Sequence, residues 1–219
     1  MSGGHAEQRH VARIALTATG DGSGFALAGL GAIREHGLID RSTEDVDLFT
    51  TQQAAATFDQ SLDRVIAALR SQGYSIDIRR HQGTFAQLTV TGAQGFLTGI
   101  DLAVDWRAHE PVRLGIGPVL SLEDAVGNKV AALFSRAEAR DQVDVDAIRR
   151  SGRFTDEELF RLARQTDPGF DLEWFARSLD TVERIHPEEV RVYGVSPEEL
   201  DGVKTRMEEW AADIRAHLH

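Results

Sequence analysis

The sequence predicts an α+β fold, a mixed sheet flanked by helices and followed by a C-terminal helical part, on three observations. Short alternating apolar segments mark strands within the first 120 residues, and from Ser121 onward the period becomes helical. The elements of the first half do not alternate regularly enough for a doubly wound sheet. The expected division is therefore a sheet-bearing core over residues 1–120 and a helical region packing on it over residues 121–219. A chain of 219 residues suffices for one substantial domain, or for a domain with a helical appendage.

Taken in order, Glu7 to Thr19 spaces Val11, Ile14, Ala15 and Ala18 as a helix does, and Asp21-Gly22-Ser23-Gly24 ends it. Phe25 to Ala28 reads as a short strand, and Gly29-Leu30-Gly31 turns into a short helix that stops near His36-Gly37. His36 is read as a helix-end residue rather than a catalyst. The loop of Arg41, Ser42 and Thr43 leads to a second strand, Asp45 to Thr50. Phe58 to Leu69 places Phe58, Leu62, Val65, Ile66 and Leu69 on one stripe, and Gly73 follows where a helix C-terminus favours glycine. Tyr74–Arg80, Phe85–Val90 and Phe96–Val104 alternate as strands, the first two joined around Gln82-Gly83, and Val112–Leu120 is a weaker strand. Ser121 and Asp124 resemble a capping box, and helices are expected over 122–137, 139–150, 156–165, 171–185 and 197–217.

Composition narrows the function classes. Hydrophobic residues at 42% and charged residues at 27% are ordinary for a globular protein. No apolar run approaches the roughly 20 residues that span a bilayer, so no membrane association is expected. The N-terminus lacks the basic and apolar regions of a signal peptide, and cysteine is absent, which fits a cytoplasmic location. A net charge of -11 argues against a general nucleic-acid coat protein, although it suits an enzyme that holds a cation between carboxylates. The 8 histidines show no ligand spacing for zinc, and no P-loop, Gly-x-Ser-x-Gly or His-Glu-x-x-His occurs. Gly29-Leu30-Gly31 is not a dinucleotide fingerprint, because Arg34 stands at the third glycine position.

The chemistry centres on Asp45-Val46-Asp47. Side chains two apart on a strand point the same way, so both carboxylates share one side while Val46 and Leu48 face the core. Such a pair suits a hard divalent cation, Mg²⁺ or Mn²⁺, with positions left for triphosphate oxygens. Asp-x-Asp alone is a weak signal, and Asp144-Val145-Asp146 is a second copy. Context strengthens the first copy. The glycine turn upstream lets backbone N–H groups approach phosphates, and the helix start behind it favours anions.

Gly29, His36-Gly37, Arg41, Thr43, Asp45, Asp47 and Leu48-Phe49 together closely resemble the nucleotidyltransferase domain of the AbiEii/AbiGii toxin family, within the DNA-polymerase-β-like superfamily. The resemblance covers residues 20–150 best. It departs at Leu30, where members often carry a small or hydroxyl residue, leaving the backbone as the contact to a triphosphate. The resemblance implies a third carboxylate from a later strand, with Asp101 the best candidate and Asp105 in reserve. It also implies a lysine, a downstream arginine and an Arg-Asp-x-x-Asp, matched by Lys129, Arg136, Arg140, Asp141 and Asp144. On a nearly continuous helix over 123–146, Lys129, Arg136 and Arg140 would form a cationic stripe. Asp141 and Asp144 share a face that could fix that row or contact the nucleotide.

The implied roles follow. Asp45, Asp47 and Asp101 hold the metal, with Lys129 and Asp141 in the catalytic group. Gly29, Gly31, Arg41, Thr43, Arg136, Arg140 and Asp144 bind the nucleotide. The implied activity moves a nucleotide from an NTP to an acceptor hydroxyl, on a tRNA 3′ end or a protein, in a toxin–antitoxin or phage-defence setting with a cognate antitoxin. The alternatives are a nucleotide- or partner-binding module of the same fold without turnover, and a small-molecule modifier that differs only in its acceptor pocket.

Overall fold

The computed structural model of the protein describes residues 2–41, 43 and 45–218. Contacts group the chain into two units, Met1–His36 with Thr43–Ser121, and Gly37–Ser42 with Leu122–His219. The first is a sheet unit and the second is helical.

The sheet unit runs α1 (Ser2–Thr19), β1 (Ala26–Leu27), α2 (Gly29–Glu35), β2 (Asp45–Thr50), α3 (Phe58–Ser71), β3 (Ser75–Gln82), β4 (Phe85–Thr91), β5 (Leu97–Val104), β6 (Val112–Leu114) and β7 (Gly117–Val119). The sheet is mixed, in the order β3-β4-β5-β2-β1-β7-β6. β2 and β5 are parallel, as are β1 and β7, and the other neighbours are antiparallel.

Strand alternation gives this sheet a wet face and a dry one. Val46 and Leu48 of β2, Ala86, Leu88 and Val90 of β4, and Ile100 and Leu102 of β5 are all buried. Val11, Ala15 and Leu16 of α1 and Phe58, Leu62, Val65 and Leu69 of α3 complete the core. Each fully buried Leu, Ile or Phe contributes about 1.5–3 kcal/mol. The α3 stripe is the one read from the sequence, and the chain leaves that helix through Gln72 and Gly73, whose φ of 88° is left-handed and suits glycine.

One expected strand is two. Val112 to Leu120 folds into the β6–β7 hairpin, with Val112 opposite Val119 and the chain turning back at Gly115 and Ile116 between the paired Leu114 and Gly117. A segment this short, with Gly115 and Gly117 in its middle, alternates on both sides of the turn and so reads as one strand.

The helical unit comprises α4 (Leu122–Ser135), α5 (Ala139–Arg150), α6 (Asp156–Thr166), α7 (Leu172–Asp180), α8 (Pro187–Arg191) and α9 (Pro197–Leu218). Phe160, Phe170, Phe175 and Trp210 form an aromatic cluster within it, some pairs stacked and others edge-to-face, with ring centroids 5.2–6.3 Å apart. Thr155 and Glu158 form a full capping box at α6, and the hydrogen bonds from the Thr155 backbone and hydroxyl lower the Glu158 pKa. Two expectations change here. The helix expected over 171–185 ends at Asp180 and continues as a 3-10 turn, Thr181–Arg184. The sequence reading omitted α8, although Pro187 at its start and Glu189 reaching back to the His186 N–H carry the helix-start signature.

The helices expected over 122–137 and 139–150 are found as α4 and α5, so the nearly continuous helix over 123–146 that a cationic stripe requires does not exist. The chain breaks between Ser135 and Ala139, where Ala137 takes a left-handed φ of 50°. Lys129 therefore belongs to α4 and Arg140 to α5, with Arg136 between them, and the three do not form one helical stripe. No helix among the described residues is long and apolar enough to cross a membrane.

A left-handed L-residue is strained by about 1–2 kcal/mol, and glycine recovers part of that against its greater unfolded-state entropy. Ala137→Gly is therefore expected to raise stability by up to about 1 kcal/mol in urea unfolding. A loss of stability would contradict the assigned strain.

Candidate active site

Asp45 and Asp47 alternate with buried Val46 and Leu48, so both carboxylates lie on the open face of the sheet. The parallel register with β5 sets Asp45 opposite Gly99 and Asp47 opposite Asp101. The antiparallel register with β4 sets Gln87 opposite Asp101, and the Gln87 side-chain amide donates to Asp101 Oδ1 at 3.1 Å. One cross-strand row thus reads Gln87, Asp101, Asp47. Adjacent strands lie about 4.8 Å apart, which brings two carboxylates within mutual repulsion.

Two glycines make room for these acids. A Cβ on Gly29, which already has φ 55°, would lie 1.8 Å from Asp47 Oδ2. A Cβ on Gly99 would lie 2.2 Å from Asp45 Oδ1. The backbone oxygen of Asp47 also accepts from the Ala28 N–H at 2.8 Å, tying the turn to the strand that bears the acid. Thr43 sits just before β2, where its hydroxyl donates to the Asp45 carbonyl at 3.3 Å and its own carbonyl accepts from Gln8 at 2.9 Å. It thereby shapes the entry to the strand.

Gly31 departs from its expected place in a phosphate-facing turn. It is buried within α2, where an added Cβ would press on Leu27 Cδ1 at 3.1 Å, so it serves close helix–strand packing. Leu30 is buried in the core at 2% exposure, and its side chain does not obstruct the turn. His36 caps α2 and its Nε2 pairs with the Leu120 carbonyl at 2.8 Å, as a helix-end residue should.

The donor set fits a hard divalent ion. It consists of carboxylate oxygens on an open face, and the glycine spaces beside Asp45 and Asp47 are ones a side chain would fill. Among the described residues no three His, Asp or Glu side chains already converge as a metal cage. The three acids instead stand side by side, as their register dictates.

In the helical unit a second polar cluster surrounds Asp144, which is fully buried. Arg41 donates to its Oδ1 through Nε at 2.7 Å, with Nη2 at 2.6 Å, and Lys129 Nζ lies 2.8 Å from Oδ2. The Arg41 guanidinium also lies 4.6 Å from the centroid of the Tyr193 ring. Two cations thus share one carboxylate. Fully buried Asp141 is forked by Arg136 at 2.8 and 3.0 Å, and Arg140 donates to Glu138 at 2.8 Å. Arg136 and Arg140 are therefore held at the α4–α5 break instead of extending a row from Lys129. Asp146, from the second Asp-x-Asp, is buried and bidentate with Arg206 at 2.7 Å, a pairing that raises the Arg206 pKa chiefly through that hydrogen bond.

The family model described as nucleotidyl transferase AbiEii toxin, Type IV TA system, matches residues 14–218. The chain belongs to that family. As an AbiEii-family toxin it is a nucleotidyltransferase, and its solved neighbours share the fold. JHP933 from Helicobacter pylori superposes with a TM-score of 0.63 at 20% identity, covering 97% of this chain and 92% of that one. MenT4, a nucleotidyltransferase toxin from Mycobacterium tuberculosis, superposes at 0.58 and 18% identity, covering 96% of this chain and 84% of that one. No curated protein matches the chain in sequence.

Sequence reasoning missed Gln87 and Gly99. Gly99 stands two residues before Asp101, the same offset as Asp45 from Asp47, a signal readable once the two strands are paired. Gln87 gives no such signal, since only the sheet order brings it to Asp101.

Gly29→Ala and Gly99→Ala should each displace a carboxylate and lower the transferase rate by about a hundredfold, given the sensitivity of such sites to shifts near 1 Å. Pyrophosphate release measures this, and unchanged rates would show that the glycines do not set the acids. Asp144→Ala leaves two cations facing each other and should destabilise the protein by about 3–5 kcal/mol in denaturant unfolding. A change below about 1 kcal/mol would remove Asp144 as their anchor.

Proposed function

We propose that the AbiEii-family chain transfers the nucleotidyl group of an NTP to an acceptor hydroxyl with Mg²⁺ held by Asp45, Asp47 and Asp101. The observation that carries this is the Asp47–Asp101 register with glycines beside the acids. A bound divalent ion supplies activation of the acceptor hydroxyl and offsets charge at phosphorus. The acceptor oxygen forms the bond to the α-phosphorus, the α–β anhydride breaks, pyrophosphate leaves, and the hydroxyl proton passes to solvent. Gln87 orients Asp101, and the Gly29 turn leaves backbone free to approach phosphate beside Asp47.

Arg41 and Lys129 are assigned to phosphate charge, with Asp144 fixing both. Arg136 and Arg140 are assigned to nucleotide or acceptor phosphates, with Asp141 holding Arg136. Thr43 supports the start of β2. The acceptor is a tRNA 3′ end or a protein hydroxyl. The family's Type IV toxin–antitoxin setting supports a cognate antitoxin as partner, acting with the toxin in the cytoplasm.

The test incubates the protein with labelled NTPs, Mg²⁺ and total tRNA, and with total protein as a separate acceptor pool. Label should move to one pool, and Asp47→Ala should abolish it. No transfer to any acceptor, with Asp47→Ala indistinguishable from wild type, would overturn the enzymatic assignment of these residues.

A further inference from the structure

A second row crosses the open face of the sheet, one step along from the carboxylates. Phe49 of β2 and Phe85 of β4 both stand opposite Ala103 of β5. Phe49 lies two residues beyond Asp47, Ala103 two beyond Asp101, and Phe85 two before Gln87 on the antiparallel strand. Strand alternation therefore puts all three on the face that carries Asp47, Asp101 and Gln87. None is among the buried core residues, unlike their dry-face neighbours Leu48, Leu102 and Ala86.

Two aromatic residues thus flank a methyl-sized floor, separated by two strand spacings, or about 9.6 Å. Two rings that clasp a planar group need about 7 Å, twice a carbon–carbon contact of ~3.5 Å, so the strand spacing leaves space for one. Arg80 of β3 adds a cation, its guanidinium carbon 5.4 Å from the centroid of the Phe85 ring. It reaches Phe85 from β3, on the side of β4 opposite Ala103.

We infer that Phe49, Ala103 and Phe85 form a slot that takes a nucleobase beside the carboxylate row. The inference rests on the transferase reading above. An aromatic pair is sequence-tolerant because every base has a π-face, and a nearby guanidinium favours the adjoining phosphate. The base has two sources, the incoming NTP or the terminal nucleotide of a polynucleotide acceptor.

The test measures calorimetric binding of the full chain, with Mg²⁺, to each of the four NTPs, to inorganic tripolyphosphate and to a single-stranded RNA hexamer. Phe49→Leu and Phe85→Leu keep the apolar bulk and remove the π-faces, while Ala103→Leu fills the floor and keeps both rings. All three should weaken the base-bearing ligand about tenfold and leave tripolyphosphate unaffected. Loss confined to NTPs assigns the slot to the incoming nucleotide, and loss confined to the hexamer assigns it to the acceptor. Wild-type binding retained in all three variants, or tripolyphosphate weakened equally, overturns the slot and leaves the transferase reading standing. Wild-type protein that binds neither NTP nor hexamer overturns that reading and the slot together.

Discussion

Like-charge crowding on one face of the sheet is the constraint around which the sheet unit is arranged. The parallel pairing of β2 with β5 forces Asp47 and Asp101 into register, and Asp45 follows on the same face. Carboxylates so close repel unless hydrogen-bond donors or a cation offset them. The chain answers with Gln87 on Asp101 and with glycines at 29 and 99 that admit the Asp47 and Asp45 carboxylates where any side chain would collide. The opposite face supplies the means to hold this arrangement, because its Val, Leu and Ile residues bury against α1 and α3. A sheet that is dry on one side keeps its register, and that register places the acids.

The helical unit meets the same problem differently. Three aspartates of α5, Asp141, Asp144 and Asp146, are buried, and each is met by a cation from outside that helix: Arg136, Arg41 with Lys129, and Arg206. Burial of a charge is tolerable only with close partners and good geometry, which these forked and paired contacts supply. Arg41 has the most particular place among them. It comes from the short segment Gly37–Ser42, which groups with the helical unit although both of its flanks group with the sheet unit.

Much of this was legible beforehand. Phe58 to Leu69 carries a stripe dense enough to name its buried face, and the strand Asp45–Thr50 has the boundaries its alternation suggests. The α4–α5 break falls where the helices expected over 122–137 and 139–150 part, whereas the left-handed φ of Ala137, a strong helix former, arises from the surrounding structure. Gly31 looked like half of a ligand-facing turn, yet the turn needs only Gly29, and Gly31 is set by its distance to Leu27. The second Asp-x-Asp had the composition of a solvated helix face, and only the fold put Asp144 and Asp146 inside.

In the Asp45-Val46-Asp47 strand the direction of the carboxylates is already written in the local pattern, because alternation on a strand is a local property of the backbone. Local pattern likewise determined the fold class and the family resemblance that the match over residues 14–218 established. What stands beside those acids was decided by tertiary structure. Gln87, Gly99 and Asp101 reach Asp45 and Asp47 through sheet order and register. Those are set by which apolar faces bury together across tens of residues, a non-local balance that no short window of sequence contains.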